Sequence, residues 1–404
     1  MQMGETAISP QDILSAADAG RAYVKHTPIT PSAALSELCG GSVVLKAENL
    51  QRTGSFKIRG ALNKLSTLGA SAQHGVVAGS AGNHAGALAF AAKAHGVKCE
   101  IFVPSGASLS KIAACRAYGA TASEGGESLD NAVARAMERA QETGMAFCHP
   151  YDDLAVIAGQ ATLGLELIND IDNLRTVVIP LGGGGLAGGT AIALKQFDPS
   201  IKVIGVQVNA CAPYAHSPAP DGPVVTLADG IAVKRPGTIT RPIIEKWLDD
   251  VVVVDEDDVA DAMILLMERG KLLVEGAGAV GVSALMRGLV TPSAQGTTCV
   301  VLSGGNVDMG LIPGLIRRHE TQAGRRLIVF VRISDRPGGL AQLLSLFAEN
   351  GANLVEVEHV REGVDLHVRE TGVQIVLETR GPEHAATVLE AARSGGYEIT
   401  ELTR

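Results

Sequence analysis

The chain has 404 residues, of which 46% are hydrophobic and 19% charged, a balance that fits two or three folded domains of roughly 150 residues each. A net charge of −9 and an aromatic content of 3% exclude nucleic acid as a partner, because they leave neither a basic surface for phosphates nor a stacking platform for bases. The six cysteines include no CxxC pair, the chain opens with no secretory pattern, and no apolar run reaches the roughly 18 residues of a membrane span; a cytoplasmic protein with no membrane contact and no assigned metal site is expected.

In chain order, Ser9-Pro10 reads as a helix cap followed by proline at the first helical position. Short Val/Ile-rich runs at 43–45, 76–78, 100–103, 176–181, 203–208, 251–254 and 299–302 read as strands covered on both faces, since they barely alternate. Ala/Leu/Glu-rich stretches such as 85–95 and 129–143 read as helices between them. This βαβ rhythm predicts a mostly parallel α/β architecture, with ligands at the carboxyl ends of the strands. After residue 310 the pattern changes. A basic connector runs from Arg317-Arg318 to Arg325-Arg326, and a strand is predicted at 327–333. The turn Asp335-Arg336-Pro337-Gly338-Gly339 leads into a helix whose Leu340, Leu343, Leu344 and Phe347 share one face. Strands at 353–360 and 374–377, a helix at 383–393 and a strand at 397–402 complete a βαββαβ, ferredoxin-like order.

Four loops carry the chemistry. In Thr53-Gly54-Ser55-Phe56-Lys57-Ile58-Arg59-Gly60, Ser55 is the expected N-cap, which puts Lys57 in a first helical turn where the helix dipole lowers its pKa. Ser80-Ala81-Gly82-Asn83-His84 joins a strand to a helix; its backbone N–H groups suit a carboxylate, and Asn83 can donate to a ring oxygen. Gly182-Gly183-Gly184-Gly185-Leu186 presents bare amides to an anion, between an apolar strand and a helix. Ser303-Gly304-Gly305-Asn306-Val307-Asp308 puts a hydroxyl at a strand end, where a ring nitrogen can pair with it. Gly183, Gly185 and Gly188 also satisfy the GxGxxG dinucleotide pattern, but Gln207 stands where that pattern needs a ribose-binding acid; one phosphate is the better reading.

A lysine, an anion cradle, an amide donor and a hydroxyl are the parts that hold pyridoxal 5'-phosphate. Together the loops resemble the tryptophan-synthase-β-like, fold type II group of pyridoxal-phosphate enzymes, and within it the threonine ammonia-lyases (threonine dehydratases). The run Lys46-Ala47-Glu48-Asn49-Leu50-Gln51-Arg52-Thr53-Gly54-Ser55-Phe56-Lys57-Ile58-Arg59-Gly60-Ala61 carries the likeness most densely. The tail resembles an ACT domain. The resemblance implies a catalytic domain over 1–316, with a smaller subdomain of about 47–148 inserted in the larger one, a linker at 317–325 and an ACT-like domain at 326–404. It implies Lys57 and Ser80 as catalytic residues. Cofactor contacts are expected from Lys57, Phe56, Asn83, Gly182, Gly183, Gly184, Gly185, Leu186 and Ser303, and substrate contacts from Ser80, Ala81, Gly82, Asn83 and His84.

The implied activity is β-elimination of threonine, and of serine, to a 2-oxo acid and ammonia in a homodimer or homotetramer, with an amino-acid effector at the tail. Freed Lys57 would be the general base, and the neutral Ser303 would favour prompt elimination. Two alternatives stay open: a serine racemase or serine dehydratase of the same fold, and an NAD-dependent oxidoreductase resting on GxGxxG alone.

Overall fold

The computed structural model describes residues 8–80, 82–107, 109–215, 222 and 224–402. The chain divides into two compact units, Met1–Asp308 and Met309–Arg404. In chain order the strands of the first are β1 (Ile29–Pro31), β2 (Val43–Lys46), β3 (Val76–Gly79), β4 (Cys99–Val103), β5 (Thr121–Glu124), β6 (Ala146–Phe147), β7 (Leu174–Pro180), β8 (Lys202–Val208), β9 (Asp250–Val254) and β10 (Thr297–Val301). They form two sheets, of order β1-β2-β10-β7-β8-β9 and β5-β4-β3-β6. Every pairing is parallel except the edge strand β1 against β2. The chain leaves the larger sheet after β2, builds the smaller one, and returns at β7.

The continuous apolar runs are strands buried on both faces: Val177, Val178 and Ile179 of β7, and Cys299, Val300 and Val301 of β10, are fully enclosed. The strands that sequence patterning does not pick out lie at margins. β1 ends in Pro31, and β5 reads Thr-Ala-Ser-Glu with its residues largely exposed, so neither shows an apolar run. All six cysteines are unpaired. Among the described residues no helix is long and apolar enough to cross a membrane.

The helix Lys57–Leu68 is seated by buried charge. The Arg59 guanidinium lies 2.8 Å from Glu48 and 2.7 Å from Glu166, and the fully buried Lys46 ammonium 2.5 Å from Glu166 and 2.8 Å from the Thr27 carbonyl. Burial pushes the Glu48 carboxyl up, but Arg59, Thr27 and Lys46 together hold it below its ordinary range. His26, Glu166 and Asp170 also come together here, with Lys46 beside both acids. The network joins β2, the Lys57 helix and the helix Leu154–Asp170. Those two helices meet through glycine: a Cβ on Gly159 would stand 2.6 Å from the Gly60 Cα and from the Arg59 carbonyl oxygen.

The second unit holds β11 (Arg326–Ser334), β12 (Asn353–Val360), β13 (Glu370–Glu378) and β14 (Glu398–Glu401) in the antiparallel order β12-β13-β11-β14. Helices Gly339–Glu349 and Pro382–Ser394 pack Leu343, Phe347, Val388 and Ala392 against Leu327, Val329 and Val331 of β11. This is the βαββαβ order read from the sequence. The basic connector differs from expectation. Ile312–Gln322 is a helix with proline in its first turn, and it packs against β11, so the unit begins at Met309.

Gly159→Ala is expected to destabilise the protein by about 1–3 kcal/mol through overpacking at the helix crossing. A urea midpoint equal to that of the wild type would show that the helices can part without loss.

Candidate functional site

Lys57 opens its helix, and its Nζ donates to the Pro150 carbonyl at 2.9 Å. The cap is Phe56 in helical conformation, not Ser55, and it makes no side-chain capping bond. Ser55 instead forms an isolated antiparallel bridge with Gly304, which leaves its buried hydroxyl without a partner among the described residues. Burial, rather than a helix-end effect, pushes the Lys57 amine down to about 8, against an upward pull from the Glu275 carboxylate.

The next residue after Pro150 reaches the glycine loop. The Tyr151 ring lies on Gly183, where a Cβ would come within 2.3 Å of it, and the Tyr151 backbone lies 3.2 Å from a Cβ on Gly185. Gly184 has a φ of 92°, in the left-handed region, and caps the helix Gly185–Phe197. The loop therefore turns sharply into the helix and leaves its first amides bare of side chains, the kind of helix start that suits a phosphate. The Tyr214 hydroxyl donates to the Gly183 carbonyl at 3.4 Å, and Leu186 is buried in the core behind the loop. Lys57 and the glycine cradle, more than a hundred residues apart in sequence, thus share the Pro150-Tyr151 segment.

The other two loops close on the same place. The Phe56 N–H donates to the Ser303 carbonyl at 3.1 Å, and Gly305 N–H to the Gly54 carbonyl at 2.8 Å. Asn306 Nδ2 donates to the Thr53 carbonyl at 2.9 Å and to Asn83 Oδ1 at 2.6 Å. Asn83 Nδ2 in turn donates to Glu275 Oε1 at 2.6 Å. Asn83 begins the helix Asn83–His95 with Gly82 as its cap, and the Ser80 hydroxyl accepts from the Gly82 N–H at 3.3 Å. Ala81 lies outside the described residues. His84 turns away from an anion-binding role for its ring: buried against the Cys148 carbonyl at 3.0 Å, it is pushed down to about 3 by burial and by Lys57, so the imidazole is neutral. Gln207 is buried and committed at both ends, to the Leu181 carbonyl at 3.2 Å and the Tyr214 N–H at 3.0 Å, so its amide is not free for a ribose.

Three residues at the centre were not among the expected ones: Pro150, Tyr151 and Glu275. Glu275 had a visible signal, as the one charge in residues 272–286. Burial, with Asp229 adding, pushes its carboxyl up to about 7 despite the Asn83 and Asn306 N–H donors. The donor set fits pyridoxal phosphate: an enclosed amine of lowered pKa, a cradle of bare amides that side chains would fill, an amide donor and a strand-end serine around one centre.

Residues 21–304 match the family model described as pyridoxal-phosphate dependent enzyme, and residues 327–394 match the ACT domain. The L-threonine ammonia-lyase of Thermotoga maritima is 40% identical over 97% of this chain and 99% of its own. Maize serine racemase superposes with a TM-score of 0.73 at 31% identity, covering 78% of this chain and 99% of that one. The processed form of threonine deaminase isoform 2 from Solanum lycopersicum superposes with a TM-score of 0.69 at 29% identity, covering 78% of this chain and 90% of that one.

Because only the neutral amine reacts with electrophiles, reductive methylation of Lys57 in the apoprotein is expected to rise with pH about a midpoint near 8. Site-resolved mass spectrometry would read it. A midpoint near 10.4, the ordinary lysine value, would rule out the burial effect.

Proposed function

The chain belongs to the pyridoxal-phosphate-dependent enzyme family, and from that premise we propose that it eliminates water from L-threonine and delivers 2-oxobutanoate and ammonia, with L-serine going to pyruvate. The observation that supports this reading best is the meeting of Lys57 and the Gly182, Gly183, Gly184, Gly185 and Leu186 loop across Pro150-Tyr151. Lys57 would carry the cofactor, with Phe56 beside it. The glycine loop would hold its phosphate, Asn83 its ring oxygen and Ser303 its ring nitrogen. When bound, pyridoxal phosphate supplies the electron sink that lets the substrate Cα–H bond break.

The chain's own groups do the rest. Ser80, Gly82 and the N–H groups at the start of the Asn83 helix would receive the substrate carboxylate, which fixes Cα near Lys57. Lys57, its pKa drawn down to about 8 by burial, carries far more free amine at neutral pH than an ordinary lysine and would take the Cα proton. The β-hydroxyl would leave as water, taking up the proton that Lys57 removed from Cα. Water then hydrolyses the released enamine to the 2-oxo acid and ammonia. Ser303 offers a hydroxyl rather than a carboxylate to the ring nitrogen, which favours departure of the β-group over transamination. Threonine and serine differ by one methyl group, worth about 1–3 kcal/mol of discrimination in an apolar pocket, so both are substrates in this reading.

The ACT unit supports control by an amino acid. Its turn at Asp335-Arg336-Pro337-Gly338, with Asp335 paired to Arg361 at 3.2 Å, leads into the N-terminus of the helix Gly339–Glu349, where backbone amides suit an effector carboxylate. We place the enzyme in the cytoplasm as a homodimer or homotetramer; its unpaired cysteines accord with a reducing compartment.

Incubation with pyridoxal phosphate and threonine or serine, with 2-oxo acid measured with and without branched-chain amino acids, tests the proposal; absence of product from both substrates refutes it. Lys57→Ala is expected to abolish both the cofactor's visible absorbance and turnover, and persistence of either removes the lysine from its role. Ser303→Asp is expected to slow elimination and raise side reactions, read as a changed partition ratio; an unchanged ratio counts against the ring-nitrogen assignment.

A further inference from the structure

Glu275 occupies the cap position of the helix Gly276–Met286 yet makes no capping bond. A cap normally turns its side chain back onto the first helical amides. This carboxylate points instead to Asn83, and it also accepts from the Asn306 backbone N–H. The surrounding glycines clear its path: a Cβ on Gly304 would stand 2.2 Å from Glu275 Oε1, and one on Gly278 would stand 2.8 Å from the Gly304 carbonyl. A buried acid is costly unless hydrogen bonds or an opposite charge satisfy it, and here two N–H donors do so.

The bonds form a closed ring. Asn83 Nδ2 donates to Glu275, Asn306 Nδ2 donates to Asn83 Oδ1, and the Asn306 backbone donates to Glu275. This ring permits only one orientation of the Asn83 amide. Flipped, Asn83 would set its carbonyl oxygen against the carboxylate and its NH2 against that of Asn306. In the permitted orientation Oδ1 is occupied, and one hydrogen on Nδ2 has no partner among the described residues. Asn306 is itself held in one orientation, because its Nδ2 also donates to the Thr53 carbonyl; it fixes the oxygen end of the Asn83 amide, and the ionised Glu275 carboxylate, which only accepts, fixes the nitrogen end.

We propose that Glu275 is a positioning residue for the reaction: it locks the Asn83 amide so that its one uncommitted N–H is aimed at the ring oxygen of pyridoxal phosphate. The inference rests on the lyase reading above. The helix start favours a negative charge at this position, and the two N–H groups that the carboxylate accepts from give that charge a direction. The Lys57 amine, Asp229 and Lys111 are the charged groups that act on Glu275 or that it acts on, and the Lys111–Asp229 pair at 3.1 Å lies outside the ring.

A double-mutant cycle on the full-length holoenzyme tests this, with the cofactor dissociation constant, the absorbance maximum of the bound cofactor and kcat/KM for threonine as readouts. Asn83→Ala and Glu275→Ala should each weaken cofactor binding about tenfold, the worth of one hydrogen bond to a polar ring group. Both should displace the absorbance maximum in the same direction. The variant carrying both changes should be no worse than Asn83→Ala alone. If Glu275→Ala fails to fold, the same cycle with Glu275→Gln, which keeps the volume but satisfies only one of the two N–H donors, must again lose its effect on the Asn83→Ala background. Losses that multiply in the double variant, or a Glu275 variant with wild-type affinity and spectrum, overturn the positioning role while leaving the lyase reading intact. A wild-type protein that binds no pyridoxal phosphate and yields no 2-oxo acid overturns both.

Discussion

The arrangement depends on a guanidinium that has no access to water. Arg59 lies two residues beyond Lys57, held between Glu48 and Glu166, and Lys46 completes the charge balance. Such a lattice adds little net stability over an apolar filling, but losing one partner leaves a buried charge unmatched, at a cost of about 3–5 kcal/mol. Its effect is to specify register. The helix cannot rotate or slide without breaking it, and in this register Lys57 meets the Pro150 carbonyl. The close crossing at Gly60 and Gly159 fixes the same helix in depth.

With the backbone held, the site tunes its ionisable groups toward neutrality from both directions. Burial lowers the Lys57 amine and raises the Glu275 carboxyl, bringing a strong base and an ordinary acid to within about one pH unit of each other and of neutral pH. His84, in the same enclosure, is kept uncharged and serves as a strut against Cys148. The charge of this enclosure is thus set by two groups of opposite sign, Lys57 and Glu275, that act on one another.

Much of this was readable before any coordinates. The run from Lys46 to Ala61 is dense with meaning because many polar residues in it have partners far along the chain: Lys46 and Arg59 with Glu166, Thr53 and Gly54 with the Asn306 loop. The buried strands were legible because both faces are apolar, and the ACT-like unit because its helix faces repeat cleanly. What escaped detection has specific causes. β5 is an exposed edge without apolar runs, so hydrophobic patterning is silent there. Ser55 has a cap's chemistry and position, but the Gly304 bridge holds its backbone extended and Phe56 takes the cap. The 317–325 segment reads as a charged connector because its apolar positions are few, although its first residues continue the helix Ile312–Gln322, whose buried Leu315 comes before the segment. Tyr151 and Glu275 gained their importance only from contacts across more than thirty and nearly two hundred residues respectively, which no local window samples.

The smaller sheet is spliced into the chain between β2 and β7, so it is tethered to the larger one by two strands of polypeptide running in opposite senses. Lys57 rides on the outgoing tether and Pro150 on the returning one, and the bond between them pins the tethers together. The Asn83 side chain ties the same lobe back a second time, to Glu275 and Asn306. Two stitches, far apart along the chain, thus hold the spliced lobe against the rest of its unit.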